Sequence, residues 1–234
     1  MDNQHLIKTE HLVKRFPMGQ TELTALSDIN LTFGRGEFTG LVGPSGSGKT
    51  TLLNIIGSLD APTEGSATVL GQRIEALTHK QAATLRNRRI GFIFQTFNLL
   101  PVYTVYENVE FPLLLQNIEK AERHTMVTDA LEWVGLADRA RSKPGQLSGG
   151  QCQRVAIARA IVKKPDLVLA DEPTANLDAE NSHHILKTMA RLNDELKTTF
   201  LFATHDEKVI GYLKRKISLV DGSVAQDQAT EGLA

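Results

Sequence analysis

The stretch Gly43-Pro44-Ser45-Gly46-Ser47-Gly48-Lys49-Thr50 has the residue types and the spacing that a phosphate-binding loop requires. Glycines let successive backbone N–H groups turn inward toward phosphate oxygens, and a helix that begins after the loop adds its positive end. Lys49 can then reach the β- and γ-phosphates of a nucleotide, and the Thr50 hydroxyl can bind Mg²⁺. An apolar run before the loop and helical spacing after it distinguish this stretch from a glycine-rich turn with an exposed lysine.

Two carboxylates, Asp171 and Glu172, directly follow the apolar run of residues 167–170. Active groups of open α/β sheets lie at the carboxyl ends of strands, so we expect these acids beside the phosphate loop. There Asp171 can hold Mg²⁺, directly or through water, and Glu172 is free to act on a water molecule as a general base. A solvated turn is the alternative reading, but a phosphate loop already requires such an acid.

The periodicity of apolar residues predicts the strands that position these groups. Ile29, Leu31 and Phe33 alternate with polar neighbours, as in a half-buried strand. Further strands are predicted at the run that ends before the loop and at four later places, namely residues 37–42, 67–70, 90–95, 167–170 and 200–203. Residues 220–223 predict a hairpin turn, and the chain is expected to fray from Gln226.

Helical spacing of apolar residues follows the phosphate loop at residues 52–59 and dominates the middle of the chain. Helices are predicted at residues 105–117, with Pro112 as a kink or break, and at residues 121–134. Gly149-Gly150 opens another helix, and the apolar positions between Ile185 and Leu196 give an amphipathic one. The helical middle therefore looks inserted into an α/β core.

Composition limits the classes of protein that are possible. The chain has 234 residues, of which 41% are hydrophobic, and a formal charge of -1. This charge excludes a strongly basic nucleic-acid or membrane-surface protein, although a local basic patch remains possible. The one cysteine, Cys152, excludes a disulfide within the chain and fits a reducing compartment. No apolar run is long enough for a transmembrane helix, so any action at a membrane requires a partner.

Further motifs resemble those of the ABC-type ATPases, and they occur along the chain in the same order as in that family. Leu147-Ser148-Gly149-Gly150-Gln151 is similar to the signature sequence of that family, and Gln95, after an apolar strand, resembles its Q-loop. Asn176-Leu177-Asp178 resembles the D-loop, and Thr204-His205-Asp206 the switch-histidine loop. The resemblance extends over nearly the whole chain, from about residue 6 to residue 225.

The resemblance implies an α/β fold of the P-loop NTPase type: a RecA-like core with an N-terminal antiparallel β subdomain and an inserted α-helical subdomain. It implies a single ABC ATPase domain at residues 5–225. The core with its β subdomain would comprise residues 1–94 and 160–225, and the helical subdomain with the signature would comprise residues 95–159. Residues 226–234 would form a frayed tail.

The resemblance also implies an ATP-hydrolysing dimer of head-to-tail subunits, with ATP and Mg²⁺ as cofactors. The implied catalytic residues are Glu172, His205, Gln95 and Lys49, and the implied Mg²⁺ residues are Thr50, Gln95 and Asp171. The implied ATP contacts within one subunit are Phe16, Gly43, Pro44, Ser45, Gly46, Ser47, Gly48, Lys49, Thr50 and Thr51. Those made from the second subunit are Ser148, Gly149, Gly150, Gln151 and Asp178.

Several of these residues have structural alternatives. Ser148 and Asp178 are also good helix N-caps. Phe16 is the candidate that stacks on adenine, where the family more often has tyrosine, and its alternative is a core or edge aromatic. Cys152 stands where relatives usually have Gln or Glu, and no catalytic role for it is evident. The stretch Phe97 to Tyr103 is expected to help receive a helix of a membrane partner, with burial in the small subdomain as the alternative.

The residues in and around these motifs are similar to those of the lipoprotein-releasing and macrolide-export branch of the family, for example at residues 54–60 and 169–178. This likeness implies separate transmembrane permease subunits with extracytoplasmic domains, no nucleic-acid partner, and a cytoplasmic location on the inner face of the membrane through the permease. It implies export or release of lipoproteins, lipids, peptides or drugs. The alternatives are a regulatory ATPase of the cell-division type, or a soluble ABC ATPase without a transport role.

Overall fold

The computed structural model describes residues 5–19, 21–230 and 232. This part of the chain forms ten strands and seven α-helices. The strands are β1 (Ile7–Met18), β2 (Thr21–Phe33), β3 (Phe38–Val42), β4 (Glu64–Val69), β5 (Gln72–Arg73), β6 (Ile90–Ile93), β7 (Leu167–Asp171), β8 (Thr199–Thr204), β9 (Arg215–Val220) and β10 (Ser223–Ala229). The helices are α1 (Lys49–Ile56), α2 (His79–Arg89), α3 (Val105–Leu114), α4 (Lys120–Trp133), α5 (Gly149–Ile161), α6 (Ala179–Leu196) and α7 (Glu207–Ile210).

A six-stranded sheet in the order β10-β9-β3-β8-β7-β6 forms the centre of the fold. All its neighbouring strands are parallel except β9 and β10, which form an antiparallel hairpin at one edge. The carboxyl ends of β3, β8, β7 and β6 therefore meet along one edge of the sheet. The loops that follow these four strands contain most of the residues with predicted chemistry.

The central strands are apolar throughout because both faces of the sheet are covered. In β8, Phe200 and Phe202 pack against the helices α3 to α6, whereas Leu201 and Ala203 pack on the opposite face with α1. Alternate residues of a strand point to opposite faces, so each strand supplies two hydrophobic cores at once. These two cores hold the sheet, and with it the carboxyl edge, rigid.

A second sheet, in the order β2-β1-β4-β5, is antiparallel throughout. Its long hairpin of β1 and β2 packs Leu12, Leu26 and Ile29 against α1 and the central sheet. The turn of the β9–β10 hairpin joins this layer, since the Ser27 N–H donates to the Gly222 carbonyl over 2.8 Å. The predicted combination of an α/β core with an antiparallel β subdomain is confirmed.

The helices α3, α4 and α5 follow β6 in sequence and precede β7. Their contacting faces are fully buried, with Val109, Val127 and Val155 among the residues that pack together. Reciprocal capping bonds begin α3, between Thr104 and Glu107. The predicted subdomain boundary at residues 159 and 160 stays a prediction, and α5 runs across this position.

The structure corrects two details of the sequence-based elements. The frayed tail from Gln226 is wrong for residues 226–229, because these polar residues pair with β9 as the second half of β10. The helix predicted to residue 117 continues through Pro112 but ends at Leu114, within one turn of the missing N–H. Residues 231, 233 and 234 lie outside the described part. Among the described residues, none of the helices combines the length and the apolar character that crossing a membrane would need.

Candidate active site

The loop between β3 and α1 has the tightly curled backbone that its glycines predict. Gly48, immediately before α1, has a φ of 98°, and a Cβ at this position would lie 2.7 Å from the Ala25 carbonyl oxygen. A side chain at Gly43, where φ is 153°, would collide with the Leu219 carbonyl oxygen. Both positions therefore require glycine, for conformation and for space.

Two polar side chains of this loop, those of Lys49 and Ser47, are buried. The Lys49 side chain is buried, and its Nζ donates to the carbonyl oxygens of Gly43 and Pro44 over 2.8 and 2.9 Å. The Ser47 Oγ is buried and, within the described part of the chain, has no hydrogen-bond partner. A buried cation that contacts only carbonyl oxygens and an unpaired hydroxyl fit a loop that binds an anion.

Thr50 and Asp171 place hard oxygen ligands next to each other across the carboxyl edge. The Thr50 Oγ1 lies 3.1 and 3.2 Å from the two carboxylate oxygens of Asp171. Burial raises the pKa of Asp171, and the charge of Glu172 acts in the same direction, whereas the Thr50 hydrogen bond opposes the rise. A partly desolvated carboxylate beside a hydroxyl suits Mg²⁺, which prefers oxygen ligands.

Glu172 follows β7 in a strained backbone conformation. Its φ is 45°, a left-handed value that is uncommon for a residue other than glycine. Its carboxylate accepts a hydrogen bond from the Thr204 hydroxyl at 3.0 Å and lies 2.6 Å from the His205 Nδ1. The ends of β7 and β8 thus bring an acid and an imidazole together, an arrangement that can orient a water molecule and move its proton.

These side chains line one cleft of about 530 Å³ along the carboxyl edge. Its lining residues come from the loop after β3, the ends of β6, β7 and β8, and the β1–β2 hairpin. They are Phe16, Leu23, Ala25, Ser45, Gly46, Gly48, Lys49, Thr50, Thr51, Gln95, Asp171, Glu172 and His205. Gly43, Pro44 and Ser47, which were also predicted as nucleotide contacts, lie in the same loop but do not line the cleft.

Phe16 is an aromatic residue in the lining of the cleft. The ring is 37% exposed, so it is available to stack on a planar group. Leu23 lies opposite Phe16 in the β1–β2 register, and Ala25 lies two residues further along β2. Sequence reasoning missed Leu23 and Ala25, because their position beside Phe16 depends on the register of the β1–β2 hairpin.

Gln95 lines the cleft two residues after β6. Its carbonyl oxygen accepts a hydrogen bond from the Asn176 Nδ2 at 2.8 Å. Asn176 belongs to the loop between β7 and α6, which also contains Asp178. This hydrogen bond therefore joins the loop after β6 to the loop after β7.

The signature residues and Asp178 do not line this cleft. Ser148 caps α5 and forms a reciprocal pair of bonds with Gln151. Gly149 is exposed at the start of α5, whereas Gly150 is buried and lies against Asn181. Within one subunit Ser148 and Gly149 are exposed at the N-terminus of α5, a type of site that binds anions.

Asp178 caps α6 through a 2.8 Å bond that its Oδ1 accepts from the Asn181 N–H. Hydrogen bonds from the Asn181 backbone and side chain lower the pKa of Asp178. The capping alternative for Ser148 and Asp178 is thus realised within the subunit. It leaves the exposed sides of both residues available to a second subunit.

Comparison with known proteins identifies the family of this site. Residues 26–175 match the ABC transporter family. The chain belongs to the ABC transporter family. Its ATP-binding relatives include the lipoprotein-releasing system ATP-binding protein LolD of Geobacter metallireducens, 45% identical over 95% of this chain and 99% of the relative. LolD of Bordetella pertussis is 41% identical over 97% of this chain and 98% of the relative.

The fold is also that of solved ABC cassettes. A dimeric structure of the ATP-binding cassette MJ0796 in a post-hydrolysis state with ADP and Pi has a TM-score of 0.88 and 40% identity. The two structures match over 97% of this chain and 100% of the MJ0796 chain. This ABC transporter subunit is an ATPase that uses ATP and Mg²⁺.

Proposed function

We propose that the cleft at the carboxyl edge is the ATP site of this subunit and that its residues divide the chemistry among them. The observation that carries the proposal is the convergence on one cleft of the phosphate loop, Asp171, Glu172, His205 and Gln95. Lys49 and the N–H groups of the loop hold the β- and γ-phosphates, and Phe16 stacks on the adenine. The apolar Leu23 and Ala25 shield the base from water.

Glu172 is the general base of the reaction. It accepts a proton from the attacking water, whose oxygen forms a bond to the γ-phosphorus as the bond to the bridging oxygen of ADP breaks. His205 contacts the γ-phosphate and, at 2.6 Å from the Glu172 carboxylate, fixes the orientation of that carboxylate. Thr50, Asp171 and Gln95 would hold Mg²⁺, which would supply positive charge to offset that of the phosphates.

The signature residues complete the site of the partner subunit. Ser148, Gly149, Gly150 and Gln151 start α5 away from the cleft of their own chain, with Asp178 in the nearby loop before α6. In a head-to-tail dimer this helix N-terminus faces the γ-phosphate bound by the other subunit. Each subunit then carries half of each active site, so hydrolysis requires both.

A second groove, distinct from the ATP cleft, receives the permease. It has a volume of about 440 Å³ and lies between β6, the end of α2, α3 and α5. Apolar residues form most of its walls, among them Phe92, Phe94 and Pro112. Exposed Leu100 and Val102, from the predicted stretch 97–103, lie between the Q-loop residue Gln95 and α3. A helix of a membrane subunit in this groove would move the Q-loop directly.

The likeness to LolD proteins supports a role in releasing lipoproteins, or related lipids, peptides or drugs, from a membrane. In this role the subunit sits at the cytoplasmic face of the inner membrane, held by permease subunits that have extracytoplasmic domains. ATP hydrolysis between two copies then drives the membrane subunits.

Purification of the tagged chain from detergent-solubilised membranes of its native host, with and without ATP, tests this function. We expect an integral membrane protein with an extracytoplasmic domain to be recovered in stoichiometric amount. We also expect that permease to raise the ATPase rate of the purified chain when both are reconstituted. Recovery of ribosomes, or of no membrane protein, would overturn the transport role.

A further inference from the structure

The permease groove contains an unusual set of cations. Arg86, Arg159 and Lys163 line it, and no aspartate or glutamate does. All three donate to backbone carbonyls: Arg86 to Ser58 at 2.6 Å, Arg159 to Phe97 and Asn98 at 2.7 and 2.6 Å, and Lys163 to Arg86 at 2.7 Å. Within the described residues, none of the three has a carboxylate partner.

The surrounding sequence supplies no acid either. Residues 76–106 contain no aspartate or glutamate but include Lys80, Arg86, Arg88 and Arg89, of which Arg89 is paired with Asp166 from outside this stretch. This charge is local, because the whole chain has a formal charge of only -1. Desolvation lowers the pKa of Arg159, and it lowers the pKa of Lys163 to about 8. Half-buried cations without an opposite charge are costly in the free subunit, and an occupant that brings one relieves that cost.

Lys163 and Arg86 are each held by a single hydrogen bond, so their charged groups can turn toward an incoming carboxylate. An ammonium has three donors and a guanidinium has five, and each of these side chains uses only one here. The guanidinium of Arg159 is already spread over two carbonyls, next to Phe97 and Asn98, whose φ values are 60° and 49°. Lys163 and Arg86 can therefore bind a carboxylate, while Arg159 stabilises the backbone bend at Phe97 and Asn98.

We propose that the groove selects a permease segment with an apolar face and one carboxylate, and that Lys163 and Arg86 bind this carboxylate. The proposal rests on the permease role given above and adds the chemistry of recognition. A groove with aromatic and proline walls fits the mode of recognition in which an amphipathic helix lays its apolar face into a hydrophobic groove. The apolar walls give affinity, and the charge pair fixes the register of the segment.

The test uses the full chain with the permease that co-purifies with it, and it compares Lys163→Met with Lys163→Arg. We expect Lys163→Met to bind the permease at least about tenfold more weakly and to lose stimulation by the permease. We expect Lys163→Arg to retain both properties, and Arg86→Gln to weaken binding as Lys163→Met does. The basal ATPase rate and the melting temperature check that each variant is folded.

A second step identifies the carboxylate. Each cytoplasmic Asp or Glu of the permease is replaced in turn by Asn or Gln, and one replacement should reproduce the loss without adding to that of Lys163→Met. Unchanged binding by Lys163→Met and Arg86→Gln would overturn the docking chemistry but leave the transport role intact. Binding of the free chain to phosphatidylglycerol vesicles that Lys163→Met abolishes would also overturn it, in favour of a lipid. A wild-type chain that recovers no permease would overturn both.

An independent observation concerns Lys14, on β1 two residues before Phe16. Its Nζ lies 4.9 Å from the centre of the Phe16 ring and binds the Asp60 carboxylate at 2.6 Å and the Ala61 carbonyl at 2.9 Å. Its side chain is only 12% exposed. Asp60 follows α1, the helix that begins at the phosphate loop. A single ammonium thus links the aromatic ring to the far end of that helix.

We infer that Lys14 is a positioning residue that holds Phe16 at the distance from the phosphate loop that a nucleoside triphosphate requires. Since a cation on one face of the ring fixes its orientation, the ring presents its other face to the base. This inference rests on the proposed stacking of Phe16. Lys14 itself touches neither substrate nor Mg²⁺.

Lys14→Met should raise KM for ATP several-fold and leave kcat within about twofold, because only binding of the base is weakened. Inhibition by inorganic tripolyphosphate, which has no base, should be unchanged, whereas a general loss of structure would weaken both ligands. Lys14→Arg should restore KM, and Lys8→Met, on the same strand, is the matched control. An unchanged KM in Lys14→Met together with a raised KM in Phe16→Ala would overturn the role of Lys14 alone. An unchanged KM in both variants would overturn the stacking as well.

Discussion

Lys49 is the cation on which the nucleotide cleft depends most directly. It is buried, it begins α1, and its ammonium contacts the carbonyl oxygens of Gly43 and Pro44. When phosphate oxygens enter the loop, this ammonium can exchange carbonyl partners for a full negative charge, which binds it more strongly. No other described lysine or arginine lines the cleft.

Lys49→Ala is therefore expected to abolish ATP hydrolysis, with a loss of at least about 100-fold in kcat/KM. The rate of phosphate release measures this directly. Lys120→Ala, at the exposed start of α4, is the control and should have the wild-type rate. Measurable turnover by Lys49→Ala would mean that the phosphate loop has been misread.

Lys163→Met should flatten the pH dependence of stability in the free chain. The pKa of Lys163 is lowered to about 8 by burial, and it returns to about 10.4 when the chain unfolds. Between these values the unfolded chain binds more protons than the folded one. The free energy of unfolding of the wild type should therefore rise with pH, by up to about 1.4 kcal/mol per pH unit.

Urea unfolding of both proteins at several pH values from about 7 to about 10 measures this effect. Replacement of the charged ammonium by a methyl group should also stabilise the chain near neutral pH, since the cost of burying the charge disappears. Parallel curves for the two proteins would contradict the lowered pKa. Lys164→Met, on the exposed neighbouring lysine, controls for the general loss of a positive charge.

At the scale of elements, Asn108 connects α3 to the loop that precedes it. Its buried side chain accepts a bond from the Leu100 N–H and donates to the carbonyls of Leu100, Tyr103 and Thr104. The loop is otherwise rich in exposed apolar residues, so this one amide supplies much of its order. It thereby shapes the rim of the permease groove.

Asn108→Ala should cost about 1–3 kcal/mol in the free energy of unfolding, because buried backbone groups lose their partner. Limited proteolysis should cut the variant faster within residues 99–104. The basal ATPase rate should be kept while stimulation by the permease falls. Glu132→Ala, at an exposed position of α4, should change none of these properties; an equal loss in both variants would argue against a local role for Asn108.

The elements that could be predicted from sequence are those whose pattern agrees with their surroundings. The strands β3, β7 and β8 are continuously apolar because the sheet is covered on both faces. The helix α2 could not be predicted, since only Leu85 of its residues is buried and its sequence has almost no apolar face. The polar composition of β10 predicted a frayed tail, but its backbone hydrogen bonds to β9 hold it in the sheet.

The same distinction applies to the cleft. The phosphate loop, the two acids and His205 are contiguous with apolar strands, and parallel pairing in one sheet brings them together without further information. Leu23, Ala25 and Lys14 could not be found in this way. Their placement depends on the register of β1 with β2, which shifts three times along the hairpin, and such irregularities leave no mark on periodicity.

At the scale of the whole molecule, the subunit has an uncovered ATP cleft and, elsewhere, an uncovered helix N-terminus at Ser148. In the proposed head-to-tail dimer, the helix N-terminus of each copy covers the cleft of the other. Glu172→Gln should bind ATP normally but fail to accept the proton of the attacking water, so the closed state cannot reset. The variant is therefore expected to accumulate as an ATP-bound dimer.

Sedimentation or light scattering with ATP and Mg²⁺ distinguishes the two states. We expect Glu172→Gln to be dimeric with ATP and monomeric with ADP, and its hydrolysis to fall by at least about 100-fold. The double variant Glu172→Gln with Ser148→Arg should stay monomeric, because the arriving helix end is blocked. A monomeric Glu172→Gln at saturating ATP would rule out the shared site.

The separation of the signature helix from the cleft of its own chain also sets the order of the reaction. When each turnover needs two chains, the rate in dilute solution grows with the square of protein concentration rather than in proportion to it. A pair of permease segments that hold two copies side by side replaces this bimolecular encounter with a high local concentration. The same geometry would then keep stray subunits from consuming ATP and reserve turnover for assembled complexes.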